Sequence, residues 1–436
     1  MSDKRKVRQR AGFLKARLPE LRLQDVHDNR SRQGRRWKLP VLLRSVLLGL
    51  MSGCKNLREI ETLTEEMARP LRHLFKIKHR VPDTTLHDML QTVDVNDLEF
   101  TLQRLVHGAD RRKALIQVDT SMPIRQLAMD GKSITQRSWD GEYAQRVRNK
   151  ETHHVYGHVR TFTGTLVGCH GRPCIFIRSI PAKTNEDGGF TQAFEDVLTS
   201  VGGLFDLVSY DAGATSRKNA HLIVSTGKHY LMRVNLKQKK MYGMMQELLN
   251  DDDQKACGLS EDGKEGSLTL RRLYKASINR FEMQKRFKKR ACFWPHTKTI
   301  VRIDTVRQKN GREEVLEKRY FCSSLKADDV TATQWLALVR NHWGVEVNHN
   351  ILDVALGEDD HPLFRESPQA AYAVMVLRRI AYTLLTLFRS VTLRAEENRA
   401  VPWRTLLRWL SETLRYADEE TLSHLRERRG INAAFI

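Results

Sequence analysis

A change of hydrophobic periodicity near residue 114 restricts what this chain can fold into more than any other feature of its sequence. Before that point, apolar residues recur with the spacing of an α-helix, as at Leu43, Leu47 and Leu50. After it, short runs of β-branched and aromatic residues alternate with glycine, proline and threonine, which is typical of strands and turns. The sequence therefore predicts a helical unit over residues 1–110 and a sheet after it.

The segments after this change alternate between strand-like and helix-like patterns. Strands are predicted at 114–118, 155–162, 166–169, 175–177, 204–210 and 230–234, and helices at 190–198 and 215–225. Because strands that alternate with helices build α/β sheets, the predicted fold class is mixed α/β. Further strand-like runs follow at 267–273, 298–305 and 320–323, and helical periodicity returns from residue 331.

These patterns divide the chain into five predicted segments. They are a helical N-terminal domain (1–110), the first part of a sheet-based core (111–225), a β-rich insertion (226–330), the second part of the core (331–395) and a helical C-terminal tail (396–436). A chain of 436 residues is long enough to bury at least one large core under this arrangement.

The charge of the chain points to a polyanionic partner. The formal net charge is +22 and the sequence pI is about 9.9, which favours nucleic acid or an anionic membrane surface. No apolar run is expected to approach the roughly 20 residues of a membrane span, and the basic N-terminus lacks the apolar stretch of a signal peptide. We therefore expect a cytoplasmic, nucleoid-associated protein that binds nucleic acid and no membrane.

Two basic segments are candidates for contacting that nucleic acid. Residues 1–40 hold thirteen Lys/Arg against four Asp/Glu, and residues 271–290 hold nine against one. Such a charge run can bind the phosphates of nucleic acid, because its positive charges are densely spaced. The alternative interpretation is a solvated face or a mobile arm. The candidate DNA contacts in the two segments are Arg35, Arg36, Lys38, Lys285, Arg286, Lys288 and Lys289.

Three acidic residues are distinguished by their context. Asp130 lies where an extended segment meets Gly131, and Asp211 ends the predicted strand at 204–210. Ligands of open α/β sheets bind at strand ends, although an isolated aspartate there is more often a turn or cap residue. Glu346 is the third acid, and it lies in a segment of helical periodicity.

The segment around Glu346 predicts one helix with two distinct faces. Leu338, Val345 and Leu352 repeat every seven residues and form a buried stripe. A second, polar stripe has steps of four, three and four residues and consists of His342, Glu346, His349 and Asp353. A solvated face with ion pairs and a ligand-rich face at the margin of the core are both compatible with that stripe.

Four passages in a fixed order carry a resemblance to a known family. They are residues 28–40 with 82–86, residues 128–133 (Ala-Met-Asp-Gly-Lys-Ser), residues 183–186 with 210–212 (Tyr-Asp-Ala), and residues 342–346 (His-Trp-Gly-Val-Glu) with 352–354 and 358–359. Together they resemble the DDE transposases of bacterial insertion sequences, in the branch that includes the H-repeat-associated proteins. The resemblance spans most of residues 20–390.

The resemblance implies a function, a fold and a site. Asp130, Asp211 and Glu346 would be the catalytic carboxylates and would bind two Mg²⁺ ions per active site, which Mn²⁺ can replace. Two such ions about 3.5–4 Å apart suit phosphodiester cleavage, and Mg²⁺ prefers carboxylates. The implied activity is DNA cleavage at the ends of the element, followed by attack of the freed 3′-hydroxyl on target DNA. The core at 111–225 and 331–395 would be ribonuclease-H-like.

The same resemblance implies the partners, which are the terminal inverted repeats, target DNA and a second copy of the chain in a synaptic homodimer. Residues near the motifs complete the predicted DNA contacts: Lys132, Trp294, Arg340 and His342. Trp294 would stack on an unpaired base, although packing in the core is the favoured interpretation for it. Accessory roles are assigned to Asn348, His349 and Asp353.

Three alternatives remain open from the sequence. The first is a metal-dependent nuclease that uses the same carboxylates without joining strands. The second is a catalytically inactive DNA-binding protein derived from a transposase. The third is a hydrolase in which His342, Glu346 and His349 bind zinc.

Overall fold

The N-terminal part of the chain is helical. The structure is a computed structural model that describes residues 4–184, 186–211, 213–249, 256–264, 267–288, 292–294, 296–309, 312–393 and 395–427. The first helices in this described part are α1 (Lys4–Arg17), α2 (Leu39–Met51), α3 (Leu57–Glu66), α4 (Arg69–Phe75), α5 (Asp83–Thr92) and α6 (Val95–Arg111). The helical periodicity before residue 114 is therefore confirmed.

Polar side chains cap two of these helices. The side chain of Asn56 accepts a hydrogen bond from the amide of Glu59, and Asp94 accepts from the amides of Asn96 and Asp97. Such bonds satisfy the amides that the first turn of a helix leaves without a partner. Helix α5 begins at Asp83, and no side chain caps it.

Ten strands of the described residues form one mixed sheet. They are β1 (Gln126–Gln136), β2 (Ala144–Arg148), β3 (Val155–Leu166), β4 (Cys174–Ser179), β5 (Leu207–Tyr210), β6 (His229–Val234), β7 (Gly258–Lys264), β8 (Ser267–Ser277), β9 (Thr299–Lys309) and β10 (Arg312–Ser323). Their order is β2-β3-β1-β5-β6-β10-β9-β8-β7, and β4 also pairs with β3.

Parallel strands and crossing helices lie at the centre of this sheet. Strands β1, β5 and β6 are parallel neighbours. The helices between the strands are α7 (Glu186–Val201), α8 (Arg217–Ser225), α9 (Lys239–Leu249) and α10 (Arg280–Phe287). Strand β10 pairs antiparallel with β6, so the β-rich segment continues the same sheet. The predicted mixed α/β class is confirmed.

The remaining helices of the described residues follow the last strand of the sheet. They are α11 (Ala332–His342), α12 (Gly344–Val354), α13 (Pro368–Leu387), α14 (Glu396–Arg399), α15 (Trp403–Tyr416) and α16 (Glu419–Glu427). Helices α15 and α16 pack against α1, where Lys4 forms an ion pair with Glu420 at 2.7 Å and Arg10 lies 4.8 Å from the ring centroid of Trp409. The first and last described helices are therefore neighbours.

Helix α13 is the most deeply buried element. It contacts α2 and α6 of the N-terminal helices and strand β4 of the sheet. By length and mean hydropathy the segment Pro368–Thr392 could cross a membrane, so the expectation that no apolar run approaches that length is wrong. The apolar stretch is wholly buried inside the protein, which identifies it as a core helix of this fold.

An ion pair and two backbone contacts lie inside this apolar helix. The guanidinium of Arg379 pairs with the carboxylate of Glu358, and both side chains are fully buried. Arg378 donates hydrogen bonds to the carbonyl oxygens of Gly357 and His361 at 3.1 and 2.8 Å. Both arginines thus bind the loop that follows α12.

Three local predictions are wrong. Residues 114–118 form no strand beyond an isolated bridge between Gln117 and Cys169, because their neighbour is only the turn after β3. The strand predicted at 166–169 is absent, since β3 ends at Leu166. The helix predicted around Glu346 is two helices, because α11 ends at His342 and α12 begins at Gly344.

The buried ion pair generates a stability prediction. We expect Arg379→Met to lower the free energy of unfolding by about 3–5 kcal/mol, because it leaves the Glu358 carboxylate buried without its partner. The double variant Glu358→Met/Arg379→Met should recover most of that loss. The measurement is the urea midpoint followed by circular dichroism.

The control for this prediction is an exposed pair. Arg408 and Glu412 lie 3.7 Å apart on the surface of α15, with 67% and 41% of their side chains exposed. Arg408→Met should cost no more than about 1 kcal/mol. Equal losses for Arg379→Met and Arg408→Met would contradict the role assigned to the buried pair.

A candidate active site at the edge of the sheet

Two of the candidate acids lie on neighbouring parallel strands. The register pairs Ala128 with Ser209 and Met129 with Tyr210, so Asp130 and Asp211 are the next residues on each strand. Parallel neighbours are about 4.8 Å apart, which brings the two aspartates to one edge of the sheet. Asp211 follows the end of β5, as predicted, whereas Asp130 lies within β1, which runs on to Gln136.

The third acid is carried by α12, which packs on β1 and β3. Val345 packs against Ala128 and Val167 in a small buried cluster, and Glu346 is the next residue. A Cβ atom at Gly344 would lie only 3.0 Å from side-chain atoms of Val167 and Arg172. The absence of a side chain at Gly344 therefore lets the start of α12 approach the sheet closely without displacing Val167 or Arg172.

Buried hydrogen bonds fix α11 against the same strands. The amide nitrogen of Gln126 donates to the carbonyl of Leu338 and to the hydroxyl of Ser209, both at 2.9 Å. The Nδ1 atom of His342 lies 3.1 Å from the same hydroxyl. His342 is thus buried beneath the site and is not part of the polar stripe predicted for it, because the break at Trp343 turns it inward.

Charged side chains around Glu346 define the electrostatics of the edge. Burial raises the pKa of Glu346, the nearby Asp211 raises it further, and Arg319 and Arg233 oppose this rise. Arg233 lies 3.9 Å from a carboxylate oxygen of Asp211. Both arginines also contact Glu317, at 3.4 Å from Arg233 and 2.6 Å from Arg319.

Sequence reasoning missed Arg233 and Arg319. The signal that could have found Arg233 is its place as the one charge in the apolar strand run Tyr230–Val234. Arg319 has no comparable local signal, because it reaches the site only through the pairing of β10 with β6. Its guanidinium lies 4.6 Å from the ring centroid of Trp343.

A second group of polar side chains lies beside Asp130. His349 on α12 has its Nδ1 atom 3.5 Å from Asp130. The buried ammonium of Lys132 is 2.7 Å from Asp353 and 3.3 Å from Asp359. Lys132 is thus already neutralised by two carboxylates, and its position does not favour the DNA contact that the sequence suggests.

Burial keeps the two histidines near the site neutral. Loss of solvent lowers the pKa of His342 to about 4; Asp211 opposes this shift and Arg233 adds to it. Loss of solvent, together with Arg379 and Lys132, lowers the pKa of His349 to about 3. Asn348, the other accessory candidate, is buried and donates to the hydroxyl of Thr165 at 2.8 Å.

A pocket of about 410 Å³ opens beside Glu346. Its lining combines a carboxylate, an indole and guanidinium groups, and includes Arg271, Arg319, Arg340, Trp343 and Glu346. Asp262 bridges two of these arginines, at 2.5 Å from Arg271 and 2.8 Å from Arg340. The pocket lies between the β-rich segment and α11–α12.

The other predicted DNA contacts fall into exposed and buried positions. Exposed are Arg35, Arg36, Lys38, Lys285, Arg286 and Lys288. The guanidinium of Arg35 hydrogen-bonds to the backbone oxygens of Asp28 and Arg30. Trp294 is buried beside Tyr230, as the core interpretation expects, and Lys289 lies outside the described residues.

The donor chemistry of the edge fits a hard divalent cation. No three His, Cys, Asp or Glu side chains already converge on one point within the described residues. Asp130, Asp211 and Glu346 are nevertheless all carboxylates, the groups that Mg²⁺ prefers. The repulsion between Asp211 and Glu346 that raises the pKa of Glu346 is one that a bound cation would relieve.

Comparisons with known proteins give a consistent result. Residues 21–106 match the family described as DDE_Tnp_1-associated. The H repeat-associated transposase candidate YhhI of Escherichia coli K12 is 23% identical over 370 residues, which cover 80% of this chain and 86% of that protein. The protein YbfL of the same strain is 22% identical over the same shares of the two chains.

The buried histidines generate a prediction about pH. Because the pKa values of His342 and His349 are lowered in the folded state, the unfolded chain binds more protons between about pH 4 and 6.5. Stability should therefore fall by roughly 1 kcal/mol per pH unit for each histidine as the pH drops below about 6.5. The measurement is the melting temperature at pH 7 and pH 5 in buffer with a chelator.

A pair of variants separates these histidines from general acid effects. His349→Asn should reduce the loss of melting temperature between the two pH values, because its side chain cannot be protonated. His79→Asn, at an exposed position, should leave that loss unchanged. The assignment is refuted if both variants respond to acid like the wild-type protein.

Proposed function

We propose that the chain is a bacterial DDE transposase, in the group that includes the H repeat-associated proteins, and that it cuts DNA at element ends and joins the freed ends to target DNA. The observation that carries the proposal is the register of β1 and β5, which makes Asp130 and Asp211 neighbours. Helix α12 adds Glu346 to the same edge, and the electrostatic influence of Asp211 on Glu346 supports their proximity.

In this proposal Asp130, Asp211 and Glu346 hold two Mg²⁺ ions, or Mn²⁺ in their place. Such ions supply an activated water and neutralise charge on the leaving oxygen. Arg233 and Arg319 add positive charge on the β6–β10 side, where the phosphate of the cut strand would lie. His349 stays neutral and orients Asp130, and Lys132 orients the end of α12 through Asp353.

The same proposal includes a ribonuclease-H-like core. The unit β4-β3-β1-β5-β6, in which β3 alone runs antiparallel to β1, supports it together with the helices α7 and α8. The position of the last acid on a helix that packs across β1 and β3 gives further support. Strands β7–β10 then form the insertion before that helix.

The exposed basic residues are the proposed contacts to duplex DNA. They lie at the N-terminal helices and on α10, and include Arg36, Lys38, Lys285, Arg286 and Lys288. Arg340 joins them in this proposal once its bond to Asp262 is exchanged for a phosphate. A homodimer would bring two element ends together at the nucleoid.

The first test removes one carboxylate. We expect Asp211→Asn to lower Mg²⁺-dependent cutting of a duplex that carries an element end by at least a hundredfold, because a neutral amide is a poor ligand for the metal. DNA affinity should change by less than threefold. Asp206→Asn is the matched control at the start of the same strand, where Asp206 accepts from the amide of Arg125, and it should stay active.

The second test separates a transposase from a nuclease. Precut ends with a free 3′-hydroxyl are incubated with supercoiled target DNA and Mg²⁺, and joined products are scored on a gel. Joining by the wild-type protein and none by Asp211→Asn is the expected outcome. Nicking without joining would establish the nuclease alternative, and equal activity of Asp211→Asn would remove the metal assignment.

A further inference from the structure

Two arginines in the pocket beside Glu346 bind one and the same carboxylate oxygen. Arg271 of β8 and Arg340 of α11 both donate to the Oδ2 atom of Asp262, at 2.5 and 2.8 Å. Asp262 lies on β7, the last strand in the order of the sheet. Because both guanidinium groups reach the same atom, they converge on a point that a single anionic oxygen can occupy. We call Arg271 and Arg340 the arginine pair.

The arginine pair lies on the face of the sheet that carries the candidate acids. Residues opposite each other on paired strands share a face, and so does every second residue along one strand. Followed from β1 to β7, the pairings place Asp130, Arg233, Arg319, Arg271 and Asp262 on one face. Helices α11 and α12 pack on this same face, so Arg340 and Glu346 are also on this side of the sheet.

One cavity of about 410 Å³ contains both the arginine pair and Glu346 in its lining. The apolar part of the lining is buried and consists of Ile303, Leu336 and Val339. Arg319 adds a further guanidinium group to the same cavity. An anion that binds the arginine pair therefore lies in the cavity that the candidate metal ligand of α12 borders.

The carboxylate of Asp262 is held loosely enough to be exchanged. Its side chain is 39% exposed, and the side chains of Arg271 and Arg340 are 28% and 56% exposed. Ion pairs with this much solvent around them contribute little to stability. Phosphate oxygens accept hydrogen bonds from arginine as carboxylate oxygens do. A phosphate can therefore replace Asp262 on the arginine pair without unfolding β7.

Asp262 is an anion at neutral pH. Loss of solvent works to raise the pKa of Asp262, but hydrogen bonds and charge interactions with Arg271 and Arg340 hold that pKa below its usual value. The carboxylate of the protein and a phosphate of DNA would therefore compete for the same two guanidinium groups.

We propose that the arginine pair binds one phosphate of DNA next to the position of the cut, and that Asp262 occupies this site in the free protein as an internal competitor. The inference rests on the proposed function, because the cavity opens beside Glu346. Binding exchanges the Asp262 carboxylate for the phosphate, and no covalent bond changes. DNA that does not reach into the cavity gains nothing from the arginine pair, so Asp262 favours DNA that is placed for cutting.

The test removes the competing charge and keeps the size of the side chain, in the variant Asp262→Asn. The matched control is Glu313→Gln. Glu313 accepts from Arg272 with both carboxylate oxygens at 2.7 Å, and its side chain is 37% exposed. Arg272 directly follows Arg271 on β8, so this pair lies on the opposite face of the same sheet. Both variants change the net charge equally, and a difference between them reports on the site itself.

Binding of a fluorescent 30-base-pair duplex that carries an element end is measured by anisotropy from about 50 to 200 mM salt. Asp262→Asn should bind at least about fivefold more tightly, with a salt dependence increased by about one to two phosphate contacts, while Glu313→Gln stays within about twofold of wild type. The triple variant Asp262→Asn/Arg271→Gln/Arg340→Gln should lose the gain. Arg340→Gln alone should bind more weakly than wild type, and it carries the test if Asp262→Asn fails to fold.

Neutral methylphosphonates, introduced one at a time in place of phosphates, test the position of the site. The gain of Asp262→Asn should disappear for a phosphate within about three nucleotides of the cut, which is roughly 10 Å along the duplex. For Arg340→Gln, the same replacement should remove its difference from wild type. An effect that survives every such replacement near the cut overturns the inference.

Three other outcomes are also decisive. Equal affinities of Asp262→Asn and Glu313→Gln would overturn the inference and leave the proposed function intact. Weaker binding by Asp262→Asn would show that the carboxylate positions the arginine pair for DNA and does not compete with it, which also overturns the inference. A wild-type protein that binds no duplex would refute the proposed function and the inference together.

Discussion

Two consecutive guanidinium groups buried in an apolar helix are the constraint on which the rest of this structure depends. Arg378 and Arg379 lie in α13, and burial lowers the pKa of Arg378 to about 10 without removing its charge. Arg379 also donates to the carbonyl of Met375 within α13, and the other hydrogen-bond partners are the Glu358 carboxylate and two backbone carbonyls of the loop after α12. Since such charges are costly to bury without partners, the loop can adopt only the position that supplies them.

That loop links the core to the candidate active site. Asp359, beside Glu358, and Asp353 at the end of α12 together neutralise Lys132 of β1. Lys132 is two residues from Asp130 on the same face of the strand, and His349 of α12 contacts Asp130 directly. The helix that carries Glu346 and the strand that carries Asp130 are therefore joined by charges as well as by apolar packing.

The sequence predicted those parts of the site that depend on the order of neighbouring residues, and it missed those that depend on contacts between distant segments. Asp211 was predicted at a strand end because the apolar run before it is short and followed by glycine. Leu338, Val345 and Leu352 are each buried as their spacing predicts, although they lie on two helices and not on one continuous stripe. The inward turn of His342 was not predictable, since it results from the break between α11 and α12 at Trp343. Arg319 was missed because a long-range strand pairing brings it to the edge.

The elements of the fold also divide into those that the sequence predicted and those that it missed. Helices with regular spacing and strands with clear ends were predicted, whereas residues 114–118 have strand-like composition but only a turn beside them. A strand needs a partner, and the sequence of one segment does not reveal whether a partner exists. The extension of β1 past β5 was missed for this reason, because Lys132 and Gln136 look polar although both are buried.

The contact between the two ends of the described chain has a consequence for biosynthesis. Phe13 of α1 packs against Phe388, which follows α13, with ring centroids 4.9 Å apart, and α1 also packs on α15 and α16. Helices α1, α2 and α6 are synthesised before the helices that cover them. A growing chain therefore leaves the surfaces of α2 and α6 that pack on α13 uncovered until α13 has been made, and the surface of α1 that packs on α15 and α16 uncovered until those helices follow.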